Sequence, residues 1–187
     1  MTAAALLPCP GCGALYPPSD APTHRYLGAS AGCFALFSWY MVGNPEASGM
    51  LAESRIPEAA VAVPPASDEP SLAVLIGDAY GVQHHGEESP QAIQSVAVHF
   101  LDLYGVITGK TTTPGWPINR ALRTKGVFHK LVPPAQGSAL TIRHLFPGGG
   151  VGAPITRSQY VRSVYDTWMA LHGATVALWY ERYVVPD

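Results

Sequence analysis

Between residues 90 and 106 the apolar positions fall on one helical face. Ile93, Val96, Ala97, Phe100, Leu101 and Tyr104 recur at i, i+3, i+4 and i+7, the spacing that puts side chains on a single buried stripe. Ser89-Pro90 just ahead supplies an N-cap and a first-turn proline. Upstream, Leu72, Leu75, Ile76 and Ala79 give an apolar face to a helix starting at Ser67 or Asp68 and running to about Val82. Residues 33–42 read as a short buried helix ended by Gly43-Asn44-Pro45, and a further short helix is expected near 48–55. Downstream, the pattern predicts a short helix over 117–124 and one helical turn or a short strand over 141–146. A long helix follows over 154–171, carrying Tyr160, Val161, Val164, Tyr165 and Trp168. His172-Gly173 then reads as a break before a closing helix with Val176, Leu178, Trp179 and Tyr180. The stretch 126–134 looks extended, with Pro133-Pro134 blocking continuation. The expected fold is mainly α: one domain over 187 residues, with an irregular segment 1–35 packed on a helical body 36–187.

Composition narrows the function classes. Hydrophobic residues make up 48%, ordinary for a globular chain. There are 11 basic against 13 acidic residues and no basic run, so a nucleic-acid partner is not expected. Residues 1–8 lack a cationic n-region, so no signal peptide is expected. The uncharged span 26–45 has transmembrane length, but Gly28, Gly32, Gly43 and several serines interrupt it; a buried helix is the better reading and no membrane partner is expected. The three cysteines fit metal binding or redox chemistry in a reducing cytoplasm better than a disulfide framework.

The cysteines carry the first candidate site. Cys9-Pro10-Gly11-Cys12-Gly13 has the shape of a zinc knuckle, in which glycines let backbone amides turn toward the thiolates. Cys9, Cys12 and Cys33 supply three donors for zinc. His24, lying between Cys12 and Cys33, is the nearest fourth donor in the chain, and His84, His85 or His129 are alternatives brought in across the fold. The competing reading is a core thiol at Cys33 beside an unmetallated turn. A thioredoxin-like redox role lacks its βαβ context.

The second candidate site is the stretch 78–99. It holds three of the seven histidines, together with Asp78, Tyr80, Gln83 and Gln94, in a chain with 13% charged residues. An imidazole with a pKa near 6.5 suits proton transfer or zinc ligation. Here the competing reading is a hydrogen-bonded network that fixes the turn. His99 sits at the edge of the 90–106 stripe, beside a pocket. Gly28-Ala29-Ser30-Ala31-Gly32 matches Gly-x-Ser-x-Gly, but no strand precedes it, so it reads as a small-residue turn. The glycine-rich stretch 147–153 matches neither a Walker nor a dinucleotide fingerprint.

Several blocks resemble a bacterial domain-of-unknown-function family (DUF family numbered 5946): Cys9-Pro-Gly-Cys-Gly-Ala, Pro22-Thr-His-Arg-Tyr, Gly32-Cys33-Phe34, Asp78-Ala-Tyr-Gly-Val-Gln-His, Ser89 through His99, and Phe128-His129. They stand in the same order across most of the chain. The family carries no activity to transfer. The resemblance implies a shared set of polar positions: Cys9, Cys12, His24, Cys33, Asp78, Tyr80, Gln83, His84, Gln94, His99 and His129. At His85 the family pattern implies a proline, which makes His84 the family-like residue of the pair.

Two functions follow as expectations. One is a zinc-dependent enzyme acting on a small molecule by hydrolytic, lyase or cyclising chemistry. In it His84 or His99 is the acid/base group, Asp78 or Tyr80 orients it, and Gln83, Gln94 and His129 line the substrate pocket. The other is a noncatalytic binding protein with a structural zinc. The number of protein donors separates them. The aromatic residues near Trp168 and Trp179 suit either a core or a homodimer surface.

Overall fold

Ser89 and Pro90 begin the helix where the pattern expects it. The Ser89 side chain accepts the Ala92 N–H at 3.2 Å, and the helix runs over Pro90–Ile107. In the computed structural model, which describes residues 5–20, 23–42, 70–86, 89–146 and 155–185, the order is as follows. Strands β1 (Leu7–Pro8) and β2 (Leu15–Tyr16) precede helix α1 (Ala31–Val42). Helices α2 (Pro70–Gln83), α3 (Pro90–Ile107) and α4 (Trp116–Arg123) follow, then a 3-10 turn (Ile142–Leu145) and helix α5 (Arg157–Tyr183). The chain is mainly helical. The expected helix near 48–55, the α2 cap at Ser67 or Asp68 and the 147–153 turn lie outside the described residues.

Helices α2, α3 and α5 pack on one another, α4 covers α3 and α5, and α1 lies against α2 and the 3-10 turn. Val96, Ala97, Phe100 and Leu101 of the α3 stripe are buried, as are Leu75, Ile76 and Ala79 of α2. Trp168 and Trp179 are buried core residues, with rings against Phe100 and Phe128 respectively.

One expectation is corrected. His172-Gly173 does not break the last helix; α5 continues through it to Tyr183. Glycine inside a helix costs about 1 kcal/mol relative to alanine, and packing on both sides outweighs this. Trp168 and Val164 anchor the first half, and Val176, Trp179 and Tyr180 the second. The stretch 126–134 forms neither helix nor strand, and 142–145 is the one-turn alternative. No described helix is long and apolar enough to cross a membrane.

Candidate metal centre

The cysteine turn joins two short antiparallel strands, with Leu7 opposite Tyr16 and Pro8 opposite Leu15. Inside it the Cys9 N–H donates to the Ala14 carbonyl and the Gly13 N–H to the Cys9 carbonyl, both at 2.8 Å. Gly13 takes the left-handed conformation, φ +74°, which a glycine adopts without strain. Gly11 serves another need: a Cβ there would stand 2.7 Å from His84 Cδ2 and 2.9 Å from the Gly28 carbonyl oxygen. The turn therefore lies directly against the end of α2.

Helix α1 contributes the third sulfur. Ser30 caps it, its hydroxyl accepting the Cys33 N–H at 3.3 Å, and the Ser30 N–H itself donates to Cys9 Sγ at 3.3 Å. This is the serine of the Gly-x-Ser-x-Gly match; it caps a helix and holds a sulfur, as a small-residue turn would.

His84 follows the last residue of α2. Its Nδ1 lies 2.9 Å from the Tyr80 carbonyl oxygen. A carbonyl accepts only, so Nδ1 carries the proton and Nε2 is left as a bare donor, the arrangement that orients metal-ligating histidines. Nε2 faces Cys33 Sγ at 3.2 Å. Gly28 N–H donates to the His84 carbonyl, and Leu27 forms a bridge to His85, tying the cysteine segment to the helix end.

The donor atoms of Cys9, Cys12, Cys33 and His84 all lie within 4.8 Å of one another. Sulfurs about 2.3 Å from a tetrahedral centre stand about 3.8 Å apart, and Cys12 Sγ and Cys33 Sγ are 3.8 Å apart. The cluster can hold a metal ion. Hydrogen bonds from Cys12 and Cys33 hold Cys9 far below the usual thiol value. Cys12 is drawn down by Cys33, but its bond to Cys9 and its burial outweigh this and push it up to about 12. Burial pushes Cys33 well up. The Tyr80 hydroxyl donates to Cys33 Sγ at 3.6 Å, and its ring stacks between Phe37 and His84. Cys9, Cys33 and His84 are at most 2% exposed. Cys12 is half-buried and lines a cleft of about 420 Å³ that Arg143 and His144 also border.

His24 is not part of this cluster. It is exposed, its Nδ1 accepts the Tyr26 N–H at 3.3 Å, and its ring leans on Phe34 and Tyr26. The Tyr26 amide and the Phe34 ring hold it outward, and α2 delivers His84 instead. His84 and Tyr80, expected among acid/base groups, thus belong to the sulfur cluster.

A separate polar group lies between α2 and α3. His99 Nδ1 is 2.6 Å from Asp78 Oδ1, and Asp102, one turn beyond His99, faces Asp78. Asp102 accepts the Gly115 N–H with both oxygens, at 2.9 and 2.8 Å. The short contact has the geometry of an ion pair, yet burial opposes both charges. It pushes Asp78 up to about 7 and His99 down. Asp102, through burial and its contact with Asp78, is pushed up to about 8. Groups coupled this closely titrate together rather than one by one.

The remaining expected residues lie apart. Gln83 is buried; its amide donates to the Leu140 carbonyl at 2.8 Å and accepts the Tyr160 hydroxyl at 3.1 Å. Both ends of the side chain are bonded inside the protein. His129 is exposed and packs edge-on to Trp179. Gln94 is half-buried on α3. Asp102 was missed in the sequence; its signal was a carboxylate within the apolar run 96–105.

Comparison with protein-family models, with curated proteins and with solved structures returns no match.

Proposed function

We propose that this chain is a zinc protein in which Cys9, Cys12, Cys33 and His84 hold one structural Zn²⁺, fastening the N-terminal segment to the helical body, and that its role is ligand binding rather than metal catalysis. The observation that carries this reading is the set of four protein donors, three of them almost fully buried. Four donors complete a tetrahedron and leave no position for substrate or water, which separates structural from catalytic zinc. Three thiolates and one imidazole select zinc over harder divalent ions. The three cysteines and His84 are also among the polar positions that the family resemblance implies. Metal content and melting temperature of protein purified without added metal test the reading, on the parent and on Cys12→Ala. About one zinc per chain, lost in the variant with a large fall in melting temperature, is the expected result.

Acid–base catalysis is a second reading, favoured by one observation. His99 is 31% exposed at its side chain while bonded to an almost fully buried Asp78, so it links solvent to the buried carboxyl pair. On that reading His99 and Asp78 do the chemistry, and zinc does not take part.

A further inference from the structure

Cys12 differs from the other three donors of the metal cluster. It is half-buried and borders a cleft, whereas Cys9, Cys33 and His84 are at most 2% exposed. Its sulfur lies 3.8 Å from Cys33 Sγ, and the two residues stand 21 apart in the chain. One sits on the turn between β1 and β2, the other in the first turn of α1. Cys9 Sγ is engaged separately, by the Ser30 N–H at 3.3 Å. A solvent-reachable sulfur beside a second, buried one is the arrangement in which oxidation ends in a disulfide.

We propose that Cys12 is a site of oxidation by peroxides, and that its modification ends in a Cys12–Cys33 disulfide that expels the metal. The inference rests on the structural-zinc reading and adds regulation to that site. The Cys12 thiolate attacks one peroxide oxygen; the O–O bond breaks, leaving Cys12 sulfenic acid and hydroxide, which becomes water on protonation. The Cys33 thiolate then attacks the Cys12 sulfur. The S–S bond forms, the S–O bond breaks, and the oxygen leaves as a second hydroxide. Two electrons pass from the sulfur pair to the peroxide. For this the sulfurs close from 3.8 Å to about 2 Å. Cys9 and His84 then remain, too few donors for a closed zinc site. The disulfide keeps the turn fastened to α1, while His84, at the end of α2, loses its metal link to both.

The test treats the full zinc-loaded chain with hydrogen peroxide, follows zinc release with a chromophoric indicator, and maps disulfides after alkylation of the remaining thiols. Zinc should appear in proportion to a disulfide linking Cys12 to Cys33. Dithiothreitol with added zinc should restore the metal-bound form. Cys33→Ser should stop the sequence at Cys12 sulfenic acid, which dimedone traps. That variant can lose its metal or its fold, so the disulfide map of the parent decides independently of it. A Cys9–Cys12 linkage, first oxidation at Cys9 or Cys33, or zinc retained after the Cys12–Cys33 bond forms overturns the inference. A zinc-loaded chain inert to peroxide also overturns it and leaves the metal reading standing. A chain that contains no zinc and takes none up removes both.

Discussion

His84 turns its Nε2 to within 3.2 Å of Cys33 Sγ while its Nδ1 stays 2.9 Å from the Tyr80 carbonyl oxygen. The backbone of α2 thus fixes which nitrogen is free to bind metal. Loss of partners beyond the ligands lowers metal affinity about 10–100-fold, so His84→Ala should exceed that. His24→Ala should leave affinity near the parent value. Competition with a chromophoric chelator measures both.

The Asp78 and Asp102 pair predicts a stability that falls as pH rises. Burial lifts Asp78 from 3.8 to about 7 and Asp102 to about 8, so the folded state holds more protons than the unfolded chain. The stability this contributes is complete below about pH 4 and lost as pH climbs through 7 to 8. His99, lowered from 6.5, acts in the opposite sense up to about that pH, which leaves the steepest net loss above it. The slope is bounded by about 1.4 kcal/mol per pH unit for each extra proton. Asp78→Asn should flatten the decline between pH 6 and 9 in urea unfolding; parallel curves for parent and variant would refute this.

The helices were legible because their signals are local. Ser89, Pro90 and the apolar stripe lie within one stretch of chain, and the turn at Cys9 to Gly13 declares itself through spacing and glycine. The fourth donor was not legible. His84 lies 51 residues beyond Cys33, and three other histidines were chemically equal candidates until the packing of α1 on α2 chose between them. The supposed break at Gly173 failed for the same reason: core contacts on either side overrode a local preference.

Of the four clustered donors, Cys12 borders a cleft, while Cys9 and Cys33 are buried. Iodoacetamide applied to the metal-loaded chain should therefore modify Cys12 first, with metal released in step. Peptide mapping at partial reaction checks this, and initial modification at Cys9 or Cys33 would contradict it.

Gln83 spans Leu140 and Tyr160 inside the protein. Gln83→Leu leaves a carbonyl and a hydroxyl without partners and should cost about 1–3 kcal/mol. Chemical denaturation reads the loss, and metal content should stay at the parent level.

X-ray absorption at the zinc edge, on protein purified without added metal, tests the central claim most directly. The account predicts about three sulfur neighbours near 2.3 Å and one nitrogen near 2.0 Å. An absent metal, or a shell in which nitrogen and oxygen outnumber sulfur, would contradict it.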